Sequence, residues 1–314
     1  MLDPRGLYEL VDEPVGEPAA GSGPALVVSL SGFVDAGSVT RLAARHLLDA
    51  LPARRVATFD VDQLLDYRSR RPAMLFAEDH WEHYQEPRLS VDALTDGGGT
   101  EFLLLSGLEP DLQWHRFVAA VRGLVERLGV RLTVGLGSIP MAVPHTRPVG
   151  VTAHATDREL IAGHEPWLQR VQVPGSAANL LEHDLGRAGH DALGFAVHVP
   201  HYLADNDYPA AVETVLGAVS RATGLLLPAD ALRAAAERMR QEVDEQVAGS
   251  EEVGAVVRAL EQQYDAYVRG REGGGLLAGG TGPLPSAEEL GAELERFLAE
   301  QAERGDGQAP GPGR

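Results

Sequence analysis

At 314 residues the chain is long enough for one large domain plus an appendage, or for two domains. It has no cysteine, which excludes disulfides, thiolate metal sites and cysteine catalysis, and all 27 of its basic residues are arginine. A formal charge of −19 argues against general affinity for nucleic acid or an anionic membrane, both of which need a positive surface.

The start Met-Leu-Asp-Pro-Arg lacks the basic-then-apolar pattern of a signal peptide. The longest apolar stretches run to roughly seven residues, far short of the ~20 that span a bilayer. A soluble cytoplasmic protein is the expectation. Residues 1–24 hold four prolines and read as an extended lead-in, within which Leu7-Tyr8-Glu9-Leu10 is able to pair or pack.

Residues 25–30 form an apolar strand, and Ser29-Leu-Ser-Gly-Phe-Val-Asp-Ala-Gly37 then turns into a helix over 38–51. Val39, Leu42, Ala43, His46 and Leu47 make one stripe of that helix. Gly32 and Gly37 let the backbone turn and approach a ligand, and Asp35 stands at a capping position. Such a turn leaves free N–H groups and the positive end of a helix dipole at a strand's C-terminal edge, where open α/β sheets bind ligands.

Residues 55–61 read as a second strand. Residues 74–77 and 88–93 flank a polar tip at 78–87, which predicts an antiparallel hairpin with a longish loop. A short strand at 102–105 precedes a helix at 111–128, and a strand at 131–136 leaves through Gly135-x-Gly137 into a Pro-rich loop. A strand at 149–153, a helix at 177–188, a strand at 192–199 and a helix at 208–223 complete the alternation. The pattern predicts an α/β fold with a mixed, largely parallel sheet over residues 25–228.

Beyond Pro228 the character changes. Residues 229–270 have helical spacing only and suggest two helices broken near Gly249-Ser250, as C-cap and N-cap. A Gly/Pro linker follows at 271–285, then an acidic helix at 286–304 opened by the capping box Ser286-Ala-Glu-Glu289, then a disordered tail at 305–314. After Ala229 there are 17 acidic and 9 basic residues, so this part too repels nucleic acid.

Several constellations carry chemistry, each with a structural counterpart. Asp60-Val-Asp62 and Asp66-Tyr-Arg-Ser-Arg-Arg-Pro72 place Arg68, Arg70 and Arg71 within four residues, suited to an anionic ligand or to ion pairs with neighbouring acids or subunits. His80-Trp-Glu-His83 has two potential metal ligands but no third evident in sequence, and reads as an aromatic contact loop. Pro144-His145-Thr-Arg147-Pro148 is a rigid polar loop for substrate or subunit contacts, with His154 just beyond. His198-Val-Pro-His201-Tyr202 ends the last strand; here Pro200 sets a turn and Asp207 is placed to cap the next helix. No Gly-x-Ser-x-Gly elbow, phosphate loop or dinucleotide fingerprint is present, so no cofactor or metal is expected.

The combination of Gly32–Gly37, Asp66–Pro72, Glu109-Pro-Asp111 with Trp114 and Phe117, Pro144–Pro148, His154, Pro174-Gly175 and His198–Tyr202 with Tyr208-Pro209 resembles the bacterial branch of the proteasome assembly chaperone 2 family. The resemblance runs from about Leu26 to Leu227. It implies a three-layer α/β/α domain similar to purine nucleoside phosphorylases. Eukaryotic members of that family escort proteasome subunits, and archaeal relatives form homo-oligomers that act as assembly factors. Members that dock on the proteasome end in a hydrophobic-Tyr-x tripeptide, whereas this chain ends Gly311-Pro-Gly-Arg314 and its Ala266-Tyr267-Val268 is internal. Docking by that route is not expected.

The resulting expectation is a non-enzymatic, homo-oligomeric, assembly-chaperone-like or scaffold protein with a helical extension and a protein client or proteasome-related partner. Self-association is expected through the α/β domain, with Trp81 and Tyr84 in the contact surface, and not through the acidic tail. The alternative is a small-ligand binder, or an enzyme of the nucleoside phosphorylase or hydrolase class. It would use one crevice at the strand ends built from Gly32, Asp35, Gly37, Arg68, His145, Arg147, His198 and His201.

Overall fold

A computed structural model describes residues 2–11, 23–32, 34–164 and 170–272. Much of the lead-in, the linker after residue 272, the expected helix at 286–304 and the tail lie outside the described residues. Residues Met1–Tyr264 make one compact unit and Asp265–Arg314 a second, of which only the end of one helix is described.

Among the described residues, ten strands and six α-helices follow in chain order: β1 (Tyr8–Leu10), β2 (Ala25–Ser31), α1 (Val39–Ala50), β3 (Ala53–Phe59), β4 (Met74–Ala77), β5 (His80–Tyr84), β6 (Leu89–Thr95), β7 (Glu101–Leu108), α2 (Trp114–Arg127), β8 (Leu132–Met141), β9 (Val151–Ala155), α3 (Ala177–Arg187), β10 (Ala192–Pro200), α4 (Pro209–Thr223), α5 (Asp230–Ala248) and α6 (Glu251–Glu272). Eight strands form one sheet in the order β1-β3-β6-β7-β2-β8-β10-β9. β7, β2, β8 and β10 pair in parallel, and β3, reached through the antiparallel β6, runs the same way. The sheet is therefore mixed and largely parallel in direction.

Both faces of the sheet are covered, which is why β2 and β6 are buried along almost their whole length. On one face α1 and α4 cover Val27, Val134, Phe195 and Val197, and Leu232 and Val243 of α5 join this core. On the other face α2 and α3 cover Leu26, Val28, Leu103 and Leu105. In α1 the stripe Val39, Ala43, Leu47 is fully buried, as its 3.6-residue spacing requires. Each buried Leu or Val stabilises the unit by roughly 1.5–3 kcal/mol. At the lead-in, Leu7 is fully buried and β1 adds to β3, so this short segment pairs and packs.

Two local expectations are corrected. Residues 74–77 do not pair with 88–93. Glu78, at φ 50°, and Asp79 make a tight turn, so β4 pairs at once with β5 as a separate two-stranded sheet. The segment Leu89–Thr95 instead inserts between β3 and β7 in the main sheet, where both faces are covered. Gly135 and Gly137 are not a strand exit; they lie inside β8, facing Gly194 and Ala196 of β10 in register, and the strand continues to Met141. The break between α5 and α6 falls at Gly249-Ser250 as expected, with the Gly249 N–H on the Glu245 carbonyl and Ser250 Oγ accepting from Val253 at 3.4 Å.

Candidate functional site

The strands β2, β3, β7, β8 and β10 all end at one edge of the sheet, which collects the loops bearing the candidate residues. After β2 the chain leaves to one face through α1, and after the neighbouring β7 it leaves to the other through α2. That divergence opens the crevice in which α/β sheets place ligands. Here it is filled from within. Glu109 is buried, and its Oε1 accepts the Ala177 N–H at the start of α3 at 2.6 Å. A Cβ on Gly32 would stand 2.0 Å from the Glu109 carboxylate, so glycine at 32 makes room for that side chain. A protein carboxylate thus holds the place and charge that an anionic ligand would take at this helix terminus.

Gly37 is needed for two reasons: its φ is +69°, and a Cβ would meet Tyr208 Cβ at 2.8 Å. Its N–H donates to Ala204 and its carbonyl accepts from Tyr208, which stitches the β2–α1 turn to the segment after β10. Ser38 stands at the N-cap in the left-handed region and makes no side-chain cap bond. Asp35 serves in its place, accepting the Thr40 N–H at 2.8 Å and the Arg41 N–H at 3.4 Å, with the Ser138 hydroxyl at 3.5 Å. Asp207 does not cap α4; it pairs with Arg41, and α4 starts on Pro209 without a side-chain cap.

The loop at residues 144–148 grips the helices that follow the sheet. The His145 backbone N–H donates to the Tyr202 hydroxyl oxygen at 2.8 Å, and the same hydroxyl lies 2.6 Å from His145 Nδ1. The Asp244 carboxylate of α5 only accepts, so Nε2–H donates to it at 3.1 Å, and in that tautomer Nδ1 accepts the Tyr202 proton. Burial raises the Tyr202 hydroxyl's pKa, the His145 N–H works against it, and the negative Glu261 and Asp244 add to the rise. The hydroxyl is a permanent donor here. Thr146 and Arg147 both bond Glu261 of α6, and the Tyr264 hydroxyl donates to the Pro148 carbonyl at 3.4 Å. Next to His145 a cavity of about 170 Å³ lies between α4 and α5 over Leu203, Tyr208, Met239 and Val243. Burial pushes the Tyr208 hydroxyl up to about 12.

His198 lies on the opposite face. Strand alternation sends Phe195, Val197 and Val199 toward α1 and α4, and therefore His198 toward the α3 side. It is buried against Gly150, whose Cβ would come within 2.6 Å of Nδ1, and its Nε2 is 2.8 Å from Thr152 Oγ1. Burial lowers its pKa to about 4, so the ring is neutral. On the same face the His154 ring covers Gly194 and pairs with Glu182 of α3.

His201 is exposed, edge-on to Tyr202 at 5.4 Å. Arg68 is exposed on the loop after β3, five strand positions from β10 and about 24 Å away at normal strand spacing. The structure thus sets Gly37 against Tyr208 and His145 and His201 against Tyr202, ties Asp35 to the start of α1 and Arg147 to α6, sets Gly32 against Glu109, and holds His198 and Arg68 elsewhere. Of the eight, His145 alone lines the 170 Å³ cavity. The residues that sequence reasoning left out of the site are Glu109, Tyr202, Tyr208, Asp244 and Glu261; the first three stood in the quoted motifs, while nothing local marks the acids of α5 and α6. Among the described residues no group of three or more His, Asp or Glu is arranged to hold a metal ion, and no helix is long and apolar enough to cross a membrane.

A second feature is a surface. The β4–β5 hairpin lies outside the main sheet, with Met74, Leu75, Phe76, Trp81 and Tyr84 all 45–62% exposed. Met74 pairs across with Tyr84, and Phe76 with Trp81, their rings in an edge contact at 5.0 Å. Such a concentration of large apolar side chains on a water-facing hairpin marks an interaction site.

A model of the PAC2 family matches residues 29–247. Among solved structures, the chain is similar to a Mycobacterium tuberculosis protein of unknown function, with 52% identity over 95% of this chain and 97% of that one and a TM-score of 0.82. It is 41% identical to a Corynebacterium glutamicum protein of unknown function over 83% of this chain and 98% of the other, with a TM-score of 0.79. A Mycobacterium tuberculosis proteasome-assembly chaperone homologue is 26% identical over 74% of this chain and 99% of its own, with a TM-score of 0.68. No curated protein matches.

Proposed function

The chain belongs to the PAC2 family, and on that premise we propose that it is a chaperone-like scaffold that self-associates and engages a proteasome-related protein partner. The observation that carries the reading is the β4–β5 hairpin, an apolar arm outside the core sheet. The similarity to a proteasome-assembly chaperone homologue supports the partner class. In this reading residues 25–228 are the working domain and the helices after it an extension; neither the helices nor the acidic tail mediates self-association. The role is non-enzymatic. The polar groups at the strand ends bond to one another: Glu109 to α3, Asp35 to α1, His145 to Tyr202 and Asp244, and Arg147 to Glu261. Each of these groups is engaged by a partner within the chain.

The test mixes the purified full-length chain with separately purified proteasome α and β subunits and follows assembly by native gel and light scattering. Expected are an oligomer of the chain alone, co-elution with a subunit and a changed assembly rate. A chain that co-elutes with neither subunit and leaves the rate unchanged overturns the proteasome-linked role.

A further inference from the structure

We propose that the α3 face of β8, β10 and β9 is a binding site for a flat, uncharged heteroaromatic ring that carries an N–H beside a carbonyl. The inference goes beyond the scaffold role and does not depend on it. Val134, Leu136, Phe195 and Val197 point to the α1 and α4 side, so Thr133, Gly135, Gly137, Gly194 and Ala196 point to the other. Register sets these residues in rows across three strands. Gly137, Ala196 and Thr152 make one row, and Gly135, Gly194 and His154 the next. In the middle of a covered sheet such positions normally hold large apolar side chains. Here Gly135, Gly137 and Ala196 carry almost no side chain, and all three are half-buried. Among the described residues, a Cβ on Gly135 or Gly137 would meet only β10 atoms, none nearer than 3.8 Å. That leaves a patch of bare backbone about 5 Å across and about 7 Å along, one strand spacing by two residues. It is the footprint of one aromatic ring.

Polar groups surround the patch. The His154 ring lies over Gly194, and its Nδ1 is 2.9 Å and 2.8 Å from the two carboxylate oxygens of Glu182. A carboxylate only accepts, so Nδ1 carries the proton and the neutral ring offers Nε2 as an acceptor. Among the described residues that nitrogen has no partner. Thr152 Oγ1 and His198 Nε2, 2.8 Å apart, close the side toward the strand ends. One row the other way, Thr133 is 4% exposed, and its hydroxyl is the buried side-chain oxygen without a partner among the described residues. A buried hydroxyl left without a bond is costly, and a ligand that bonds it recovers that cost. A ring stacked on the glycines presents its edge to both groups, the N–H to His154 Nε2 and the carbonyl to the Thr133 hydroxyl. Glu182 beside the site repels an anion, so the ring is uncharged and carries no phosphate. The His154 side chain is 43% exposed, which opens this edge of the patch to solvent.

Saturation-transfer NMR on the full-length chain tests this at about pH 7.5, where an ordinary imidazole is neutral. The probes are 2-pyridone, uracil and hypoxanthine, each beside its N-methylated form, which lacks the N–H. At least one parent ring is expected to bind at about millimolar concentration or tighter, and its N-methylated form about tenfold more weakly or worse. Gly137→Leu fills the patch where a Cβ has room, and is expected to abolish binding. His154→Ala removes the acceptor and is expected to weaken binding about tenfold. Circular dichroism checks the fold of both variants; should Gly137→Leu not fold, His154→Ala and the N-methyl comparison decide. The site is overturned if no parent ring binds at about 10 mM, or if the N-methylated form binds as well as its parent. It is equally overturned if either folded variant binds like the wild type. Each of these results leaves the scaffold role standing.

Discussion

Replacing Tyr202 with Phe tests whether the loop at residues 144–148 holds α5 through a buried network. The change removes one oxygen. That oxygen accepts the His145 N–H at 2.8 Å and supplies a proton to His145 Nδ1 at 2.6 Å. The His145 side chain is 2% exposed, so water cannot take the vacant places without opening the loop. Two buried polar groups left without partners cost about 1–3 kcal/mol each, and partial relaxation brings the expected loss to about 2–4 kcal/mol. Asp244→Ala removes the other partner of the same ring, but that carboxylate is 47% exposed and solvent can replace it. Its loss is expected to stay near or below about 1 kcal/mol. The assay is urea unfolding of both variants, with hydrogen exchange in α5 as the local readout. Tyr202→Phe within about 0.5 kcal/mol of wild type, or Asp244→Ala the costlier change, would refute the claim that the hydroxyl is the centre of the clasp.

The neutral His198 makes stability depend on pH with a definite sign. Its folded pKa of about 4 lies below the ordinary value of about 6.5, so as pH falls the unfolded chain takes up the proton first. Its contribution is complete above about pH 6.5 and declines by about 3 kcal/mol on the way to pH 4. His198→Gln should therefore flatten the stability profile in that window relative to wild type, and parallel profiles in urea titrations at pH 7, 5.5 and 4.5 would show that the ring carries no such linkage. Asp35→Ala should lower stability by about 1 kcal/mol, because Ser38 makes no cap bond that could replace it; an unchanged melting temperature would mean that α1 does not depend on that carboxylate.

The layered sheet was legible because its signal is local. Residues 25–30, 102–105, 131–136 and 192–199 are short and mostly apolar, as strands covered on both faces are, and they mark the central strands β2, β7, β8 and β10. The hairpin was misread at the point where local signals compete. Residues 88–93 alternate no differently from an outer strand, and only the partners β3 and β7, far away in sequence, draw them into the main sheet. The same limit explains the candidate site. Strand ends concentrate polar residues whether they bind a ligand or one another, and the residue types are the same in both cases. What decides is the partner: Glu109 on α3 some 68 residues away, Asp244 on His145 at 99, Glu261 on Arg147 at 114. None of these separations leaves a periodicity to read. Gly32 shows the consequence most directly. A glycine at a strand's C-terminal end signals close approach of something to the backbone, and here that something is the chain's own carboxylate. Among the described residues the hairpin contrasts with the strand ends, since Met74, Leu75, Phe76, Trp81 and Tyr84 stay exposed on it outside the main sheet.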